Sequence, residues 1–502
     1  MRIPDLLRRN ALAAPDRIAW QYRGIGDWHS LSRSQALSSV ESVADVLRRR
    51  FPAGARIAID LPNRIEWVIA DLAIQMADAV VVAIQSGLPS TLKYRQLAHA
   101  QVSALWTAAS PRLTDAFAEV PTLREIYPLG YRSSPDAFAG GIVGTSLPRE
   151  DSAACDPSVA TIVYTSGTTG SPKGAILSHA ALIHNARTTQ SALPFADDGV
   201  VLNWLPLSHI YARNSDLLQC LVSGTTLAFA ENPLSAIRDI AAIRPTNMHG
   251  VPRFYESILR DYGGDRLREV FGDRIDWIKA GGATLPANIA RDYHNVGMLL
   301  LQGYGATEAA PVIASSTRTA QRPGTVGRVL PGTEFTIDPT TRELSIRSES
   351  LFSGYWRDPE RTAGVLVDGW LKTGDLAEVS EDGFLTIRGR ACETIVLSTG
   401  KKLQPEAIES LLADIAGLED AFVCGTGKPW PVALLWAPDD RERIEAEVRV
   451  RCAGLPTWEQ IRRIAWFDGP PSALDGERTA SGKWRRENVQ SRYRQRIDRL
   501  YE

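Results

Sequence analysis

The segment from Tyr164 to Gly174 has the residue types of a loop that holds phosphate, with the sequence Tyr-Thr-Ser-Gly-Thr-Thr-Gly-Ser-Pro-Lys-Gly. Its glycines allow close backbone approach and positive φ, and its hydroxyl and amide groups can surround anionic oxygens. Lys173 adds a point charge, and lysine is rare here, with eight in 502 residues. The segment is not the G-x-x-x-x-G-K-[ST] nucleotide loop, because Gly174 follows the lysine. The preceding Thr161–Tyr164 run predicts a strand, and Ser178 predicts the start of a helix.

Four further segments place a charged or hydroxyl side chain beside glycine. They are Gly303-Tyr304-Gly305-Ala306-Thr307-Glu308, Gly369-Trp370-Leu371-Lys372-Thr373-Gly374-Asp375, Gly389-Arg390 and Thr479-Ala480-Ser481-Gly482-Lys483. Together with the Lys173 segment, and in this order, they resemble the motifs of the adenylate-forming superfamily. That superfamily includes acyl-CoA synthetases, luciferases and the adenylation domains of peptide synthetases. The resemblance covers nearly the whole chain and is closest to fatty acyl-CoA synthetase-like members.

The length and the pattern of the chain predict an α/β protein with more than one domain. A single core stops growing at about 250–300 residues, and this chain has 502. Short β-rich runs alternate with helical patterns up to about residue 388, for example Arg56–Asp60 followed by Arg64–Ile69, which favours mixed, mostly parallel sheets. The resemblance implies a large multi-layer N-terminal AMP-binding domain, residues 1–389. It also implies a small, mobile α+β C-terminal lid domain, residues 390–502, with a hinge near Arg390 to Cys392.

Composition argues against nucleic-acid binding, a disulfide framework and a membrane span. A net charge of −2 gives no general attraction to nucleic acid. Five scattered cysteines without a C-x-x-C pair favour a reducing, cytoplasmic location over a disulfide framework or a structural zinc. The most apolar run, Trp67 to Ile84, contains Asp71, Gln75 and Asp78, so it predicts a core helix followed by a buried strand and not a membrane span.

The resemblance implies ATP, Mg²⁺ and coenzyme A as the small molecules of the reaction. The residues that it assigns to the β- and γ-phosphates of ATP are Thr165, Ser166, Gly167, Thr168, Thr169 and Lys173. Glu308 would be the magnesium ligand, because a hard carboxylate suits a hard ion. Thr307 would donate to the α-phosphate. The residues assigned to the adenine and its surroundings are Tyr304, Gly305, Gly281, Gly282 and Ala283.

The C-terminal motifs are assigned to the ribose, the hinge and the reacting groups. Asp375 would accept both ribose hydroxyls, as an ionised carboxylate can. Arg390 would contact ribose and phosphate at the domain junction. Lys483 would bridge the substrate carboxylate and the α-phosphate, which lowers the repulsion between two anions as they meet. With Thr165, Lys173 and Glu308 it makes up the expected catalytic set.

Two positions concern the second half of the reaction. Gly400 would let the pantetheine arm of CoA pass close to the backbone after the lid has turned. In many relatives an Asp or Lys two residues past the junction arginine acts as a polar pivot for that rotation. Here Cys392 stands at that position and Glu393 follows, so the pivot is either apolar or displaced by one residue.

The acid-binding residues are less well defined by the sequence. The stretch Trp204 to Arg213 resembles medium- and long-chain acyl-CoA synthetases, in which the residue at the position of His209 lies beside the acid; a structural histidine is the alternative. Gly303 is the second expected acid-binding residue. Amino-acid-activating relatives carry a Phe-Asp-x-Ser motif that pairs with the substrate ammonium, and this chain lacks it. An uncharged, apolar acid, whether fatty, alicyclic or aromatic, is therefore expected.

Three functions follow from the resemblance, and a fourth stays open. The first is an ATP-dependent carboxylic acid–CoA ligase with two half-reactions and domain alternation. The second is an acyl-AMP ligase that loads an acyl carrier protein, although the segment that such enzymes insert between the Glu308 and Asp375 regions is absent. The third, a non-catalytic acyl- or nucleotide-binding homologue, is disfavoured by Lys173, Glu308, Asp375 and Lys483. The fourth is a luciferase-like oxygenase on the same fold.

Overall fold

The computed structural model describes residues 1–24, 26–108, 117, 119–128, 145–146, 155–165, 172–469, 476–478 and 484–502. The chain packs into two compact units, one of Met1–Glu334 with Ile346–Leu371 and one of Phe335–Ser345 with Lys372–Glu502. The domain boundary expected at residues 389 and 390 stays a prediction. No helix in these described ranges has the length and apolar character needed to span a bilayer.

The first unit contains a nine-stranded sheet whose central strands are parallel. Its strands, in spatial order, are Arg328–Val329, Val312–Ser315, Leu300–Gly305, Trp277–Ala280, Asn247–Gly250, Val200–Asn203, Thr226–Phe229, Ile18–Arg23 and Trp28–Ser32. The pairings from the third strand to the eighth are parallel, and those at both edges are antiparallel. Loops that follow parallel strands gather at one edge of such a sheet, where ligand sites of α/β proteins lie.

An eight-stranded sheet is built in the same way. Its strands, in spatial order, are Gly354–Tyr355, Lys173–Ser178, Val159–Thr165, Val80–Ala83, Arg56–Asp60, Ala104–Thr107, Glu125–Pro128 and Thr145–Ser146. The strands from the third to the seventh pair in parallel, and antiparallel strands flank them. The expected α/β fold with mixed, mostly parallel sheets is therefore confirmed.

Helices cover the sheets of the first unit. The α-helices are Ile3–Ala13, Arg33–Arg50, Ile65–Met76, Ser90–Ala100, His179–Ala192, Ile210–Ala212, Gln219–Ser223, Pro233–Ile243, Pro252–Tyr262, Leu267–Phe271, Ala287–Asn295 and Pro359–Val365. A π-helical segment, Arg213–Leu218, joins two of them, and Gly264–Arg266 and Thr307–Ala309 are 3₁₀ turns. Local sequence sets their starts: Ser178 accepts a hydrogen bond from the Ala181 N–H at the N-terminus of His179–Ala192, as expected.

The second unit is an α+β assembly. Its helices are Pro405–Leu412, Arg441–Cys452, Arg486–Arg492 and Arg494–Arg499, with a 3₁₀ turn at Ala391–Glu393. Two small sheets comprise Ile395–Val396 with Lys402–Leu403, and Asp420–Cys424 with Val432–Trp436 and Arg463–Phe467. A five-stranded sheet contains the residues at which the two units divide; its strands are Glu334–Ile337, Glu343–Arg347, Leu366–Val367, Trp370–Val379 and Leu385–Arg390.

The apolar run from Trp67 to Ile84 is the helix Ile65–Met76 followed by the strand Val80–Ala83, as predicted. Every residue of this helix is buried, including Asp71. The Asp71 carboxylate receives the guanidinium of Arg213, whose Nε lies 3.2 Å from Oδ2. The second arm of Arg213 donates to Thr161 Oγ1 at 2.7 Å, on the strand that leads to the glycine-rich segment. The buried ion pair thus ties the π-helical segment to the helix Ile65–Met76, and the hydrogen bond to Thr161 ties the segment to the strand.

We predict that Asp71→Ala lowers the free energy of unfolding by about 3–5 kcal/mol, because it leaves the Arg213 cation buried without its counter-charge. The matched control is the double variant Asp71→Leu with Arg213→Met, which removes both charges and should lose much less. Urea denaturation followed by tryptophan fluorescence compares the three proteins. Equal losses in the single and double variants would show that the uncompensated charge is not the cause.

Candidate active site

Lys173 and Glu308 meet in the first unit although they are far apart in sequence. Lys173 is the first residue of the strand Lys173–Ser178, and Glu308 lies in the turn Thr307–Ala309, directly after the strand Leu300–Gly305. The Lys173 Nζ is 3.4 Å from Glu308 Oε1. Both side chains keep some contact with solvent, at 26% and 14% exposure. A cation and a carboxylate thus stand side by side where an anionic ligand and its counter-ion can reach both.

Tyr355 completes this cluster, and the sequence did not reveal it. Its hydroxyl donates to Glu308 Oε1 at 2.6 Å, and its ring lies 4.4 Å from the Lys173 ammonium. The short strand Gly354–Tyr355 holds it there, because Tyr355 pairs in register with Ala175. The sequence signal is an aromatic residue after a glycine, which is too common to identify a site.

An asparagine on the neighbouring helix fixes the turn that carries Glu308. The Asn185 amide donates to the carbonyl oxygens of Ala309 and Val312 at 3.3 and 2.8 Å, and its Oδ1 accepts from the Val312 N–H at 3.1 Å. Asn214 donates to Asn185 Oδ1 at 3.2 Å and also to the carbonyl of Ala310. We call these two residues the asparagine clamp. Both are buried, so the turn is held by hydrogen bonds that water does not weaken.

The glycine-rich segment is only partly described. Thr165 ends the strand Val159–Thr165 and pairs with Lys173, so the two residues close an antiparallel hairpin. Lys173 therefore lies at the start of a strand, not within the loop as expected. Ser166, Gly167, Thr168 and Thr169 lie outside the described residues, and their assignment to phosphate stays a prediction.

Two expected site glycines are required by close packing. A Cβ on Gly305 would lie 2.0 Å from the Pro311 carbonyl oxygen, across the turn that carries Glu308. A Cβ on Gly281 would lie 2.8 Å from Cζ of Tyr211. Tyr304 belongs to the strand Leu300–Gly305, and Gly282 and Ala283 follow the strand Trp277–Ala280. These positions put the expected nucleotide residues in the last part of one strand or just after the end of the adjacent parallel strand.

His209 directly precedes the helix that begins at Ile210, and burial lowers the pKa of its imidazole. A neutral imidazole can contact an apolar acid without adding a charge. The π-helical segment follows, and its first four residues, Arg213 to Asp216, are buried and polar. Asp216 accepts from Asn203 at 2.7 Å and lies 2.6 Å from His249 Nδ1. Single π turns recur at functional sites, because the wider turn re-aims side chains.

Lys279 is a second residue that the sequence did not single out. It lies on the strand Trp277–Ala280, and its side chain is 1% exposed. Within the described ranges its Nζ has no hydrogen-bond partner. Burial lowers the pKa of Lys279 from its ordinary 10.5 to about 8. A Cβ on Gly303 would lie 2.6 Å from Lys279 Cε and 3.2 Å from Nζ, so the amine covers the glycine expected to contact the acid.

In the second unit, Asp375 and Arg390 are partners. They pair in register across adjacent strands, with Arg390 Nε 2.9 Å from Asp375 Oδ1. Arg390 also donates to the Thr373 carbonyl at 3.1 Å. Asp375 is therefore held beside a cation, although its assignment to the ribose stays a prediction.

The expected lid residues are described only in part. Gly400 has a φ of +78°, a left-handed backbone that favours glycine. Cys392 is exposed, while Glu393 forms an ion pair with Arg486 at 3.2 Å. Lys483 lies outside the described residues. The residues that flank it, Arg478 and Trp484, form a β-bridge, and the Arg478 guanidinium lies 3.5 Å from the Trp484 ring centroid.

The cluster of Lys173, Glu308 and Tyr355 offers a metal ion one carboxylate, that of Glu308. No group of three or more His, Cys, Asp or Glu that could hold a metal occurs in the part of the chain that the structure describes. Lys173 and Tyr355 both contact Glu308 through Oε1. One carboxylate oxygen with an open side suits Mg²⁺, which usually combines one or two carboxylates with phosphate oxygens and water.

Comparison with known protein families decides the family. Residues 7–356 match the model of the AMP-binding enzyme, and residues 392–502 match that of the AMP-binding enzyme C-terminal domain. The chain belongs to the AMP-binding enzyme family. The resemblance to adenylate-forming enzymes is thereby confirmed.

Two proteins similar in sequence and one similar solved structure illustrate the match. The long-chain-fatty-acid–CoA ligase FadD15 of Mycobacterium bovis is 28% identical over 97% of this chain and 95% of its own. The feruloyl-CoA synthase of an Amycolatopsis species is 30% identical over 67% of this chain and 70% of its own. The crystal structure of the anthranilate CoA ligase AuaEII with anthranoyl-AMP aligns with a TM-score of 0.85 at 19% identity, over 98% of this chain and 97% of its own. That structure confirms the fold.

We predict that Lys279→Met changes how the stability of this AMP-binding enzyme depends on pH. Between pH 8 and 10.5 the folded protein has released the Lys279 proton and the unfolded chain still holds it, so wild-type stability rises with pH through that window. The variant lacks this rise and should be more stable at pH 7, by at most about 3 kcal/mol. Urea midpoints of both proteins from pH 7 to 10.5 measure the difference. Parallel profiles would mean that the amine is not desolvated.

Proposed function

We propose that the protein is an ATP-dependent carboxylic acid–CoA ligase that works through an acyl-adenylate. The observation that carries this proposal is the cluster of Lys173, Glu308 and Tyr355 in a chain that matches the AMP-binding enzyme over residues 7–356. A cation and a carboxylate held together, next to a glycine- and hydroxyl-rich segment, suit a triphosphate and its counter-ion. A simple hydrolase of neutral substrates would have no need of them.

In the first half-reaction, an oxygen of the substrate carboxylate attacks the α-phosphorus of ATP. The bond from that phosphorus to the bridging oxygen of pyrophosphate breaks, and acyl-AMP and pyrophosphate result. Negative charge spreads over the transferred phosphoryl group, so the protein must offer cations and donors that are already in place. We assign Lys173, with Thr165 to Thr169, to the leaving pyrophosphate, Thr307 to the α-phosphate, and Lys483 to the two anions that meet.

The residues present fit Mg²⁺ as the counter-ion of ATP, with Glu308 as its protein ligand. When bound, the ion would neutralise charge on the phosphates of the leaving group. Tyr355 keeps the Glu308 carboxylate oriented by a hydrogen bond to Oε1. The asparagine clamp fixes the backbone of the same turn, which limits the movement of the carboxylate between ligand-bound and ligand-free protein.

In the second half-reaction, the CoA thiol loses its proton and attacks the acyl carbonyl carbon, and AMP leaves. We assign Gly400 to the passage of the pantetheine arm and Asp375 with Arg390 to the ribose. Lys483 serves only the first half-reaction, so the second unit must present different residues in the two steps. CoA is preferred over a carrier protein because both sequence relatives described above are named for CoA thioesters.

The acid is proposed to be uncharged, and fatty or aromatic. Two features support this choice. The pKa of the His209 imidazole is lowered, so the imidazole is neutral, and the relatives are named for long-chain fatty acids and for feruloyl-CoA.

None of the five cysteines, all within the described ranges, forms a disulfide, and we propose that the enzyme works in the reducing cytoplasm.

We predict that Glu308→Gln lowers acid-dependent pyrophosphate release by about 10²–10³-fold, because an amide keeps the shape of the side chain but loses the charge that binds the counter-ion. Glu381→Gln, at an exposed position of the second unit, is the matched control and should match wild type. A coupled pyrophosphate assay at saturating magnesium measures the rates. Full activity of Glu308→Gln under these conditions would show that Glu308 is not the metal ligand.

We predict that Lys483→Ala separates the two half-reactions. Acyl-adenylate formation should fall by about 10²–10³-fold, because the ammonium no longer offsets the repulsion between carboxylate and α-phosphate. Conversion of supplied acyl-adenylate and CoA to acyl-CoA should continue at close to the wild-type rate. Lys428→Ala, which removes another lysine of the same unit from an exposed ion pair with Asp498, is the matched control.

Chromatographic assay of both half-reactions decides the outcome of the Lys483 experiment. Equal losses in the two steps, with the fold intact, would contradict the assignment of Lys483 to adenylation alone. If the wild type forms acyl-adenylate but no thioester when CoA is supplied, the result would favour an enzyme that loads a carrier protein.

A further inference from the structure

His99 joins the helix Ser90–Ala100 to the strand that leads into the glycine-rich segment. Its imidazole Nδ1 and the Tyr164 hydroxyl oxygen are 2.9 Å apart, and the two rings meet edge to face with their centroids 5.9 Å apart. Both side chains are half-buried. Burial raises the pKa of the Tyr164 phenol, so the hydroxyl keeps its proton and shares one hydrogen bond with the imidazole.

The Tyr164 ring spans the base of the hairpin that Thr165 and Lys173 close. Tyr164 pairs in register with Gly174, the residue after Lys173. A Cβ on Gly174 would lie 3.2 Å from Cε1 of the Tyr164 ring, so the ring covers this glycine while its hydroxyl reaches His99. A movement of the ring away from the helix would therefore also move the strand end that carries Lys173.

A second contact of His99 reaches the neighbouring strand of the same hairpin. The Trp356 indole Nε1 donates to the His99 carbonyl oxygen at 3.1 Å, and the Trp356 backbone N–H donates to the Gly174 carbonyl oxygen at 2.7 Å. Trp356 directly follows Tyr355, whose hydroxyl donates to Glu308. His99 therefore contacts both of the segments that bring the hairpin and Tyr355 together.

A buried arginine fixes the helix end that carries His99. The Arg56 guanidinium donates to the carbonyl oxygens of Ala100 and Gln101 at 2.5 and 3.1 Å, and its side chain is fully buried. The same guanidinium lies 5.0 Å from the Trp356 ring centroid. The last carbonyl groups of a helix have no partner within the helix, so Arg56 satisfies carbonyl groups that water cannot reach. The hairpin is thus attached to a helix end that is itself held in place.

We infer that His99 is a positioning residue for the cluster of Lys173, Glu308 and Tyr355. Its two contacts hold the base of the hairpin, and with it the ammonium that lies 3.4 Å from the carboxylate. The inference rests on the proposed acid–CoA ligase activity, in which the cluster receives the β- and γ-phosphates of ATP with their counter-ion. A hairpin released from the helix would hold this ammonium less precisely, so ATP should bind more weakly. AMP lacks those two phosphates, and its binding should not change.

The test compares three variants by calorimetric titration of the full-length protein with ATP and magnesium chloride. His99→Phe keeps the ring and the backbone carbonyl but removes Nδ1, Tyr164→Phe removes the hydroxyl, and the third protein carries both changes. Each single variant should bind ATP about 2- to 10-fold more weakly, the range expected for one neutral hydrogen bond, and should bind AMP with unchanged affinity. The double variant should bind ATP no more weakly than the single variants, because they have already lost the same bond.

Urea denaturation of the same proteins separates positioning from a merely structural role. Each single substitution leaves one polar group without its partner, which should lower the urea midpoint. The double variant should regain most of that loss, because neither polar group remains. ATP affinity should stay low in the double variant. Recovery of ATP affinity together with stability would overturn the inference, and so would unchanged ATP affinity in His99→Phe.

His99→Asn is the conservative variant, because its amide group occupies the place of Nδ1 and can still bond to Tyr164. It should bind ATP with near wild-type affinity, and a loss as large as that of His99→Phe would also overturn the inference. Burial, and then the positive charge of Arg357, lower the pKa of His99, so the imidazole is neutral near pH 7 and neither substitution alters the charge.

The matched control is Tyr94→Phe, which removes a phenol hydroxyl from the same helix. The Tyr94 ring packs against the core of the first unit, and the variant should match wild type in ATP affinity. A loss equal to that of His99→Phe would show that any change in this helix weakens ATP binding, and would overturn the inference.

Kinetic assays of pyrophosphate release show separately whether the proposed function stands. His99→Phe should raise the KM for ATP by the factor seen in the titration and leave the KM for the acid unchanged. An equal rise in the KM for the acid would contradict a role at the phosphates alone and overturn the inference. If no acid supports pyrophosphate release in the wild type while His99→Phe still weakens ATP binding, the proposed ligase activity would be contradicted and the role of His99 would stand.

Discussion

The asparagine clamp is the constraint on which the geometry of the first unit depends. Asn185 uses both ends of its amide on the turn after Glu308, and Asn214 adds a bond to the turn and one to Asn185. Because the clamp residues sit on two different helices, one turn fixes both helices relative to the strand Leu300–Gly305. The first helix follows the strand that begins at Lys173, so the same contacts set the separation of Lys173 and Glu308.

The polar groups of this unit fall into two kinds. Structural ones are buried and satisfied, such as Arg213 with Asp71 and Thr161, and they join elements that carry the site. Other polar groups are partly open or unsatisfied: the Glu308 carboxylate contacts Lys173 and Tyr355 through Oε1, and the Lys279 amine has no hydrogen-bond acceptor among the described residues. Natural proteins break the rule of satisfied burial mainly where a ligand completes the arrangement.

The sequence alone was sufficient to predict helices and strands that depend on local residue periodicity and capping. The strand Arg56–Asp60, the helix and strand within Trp67 to Ile84, and the capped helix after Ser178 all follow from periodicity and capping. The order of glycine-rich motifs was enough to identify the family. Lys173 was expected in a loop because the lysine motif gives no sign that the strand starts there; pairing with Thr165 decides it.

Residues whose role depends on distant contacts could not be found in this way. Tyr355 reaches Glu308 across 47 positions, and Asn185 reaches Val312 across 127. Lys279 could not be singled out either, because the burial of its amine away from hydrogen-bond acceptors of the described residues depends on the surrounding fold. Ser166 to Thr169 and Lys483 still rest on the motif resemblance.

Transfer of an oxygen atom from the acid to AMP tests the account most directly. If the carboxylate attacks the α-phosphorus and the thiol later attacks the acyl carbon, one oxygen of the acid must remain on AMP. Turnover with ¹⁸O-labelled carboxylate, ATP and CoA, followed by mass spectrometry of the products, should therefore give one ¹⁸O in each AMP and none in pyrophosphate. Unlabelled AMP, or label in inorganic phosphate together with ADP, would contradict an acyl-adenylate and with it the assigned roles of Lys173 and Glu308.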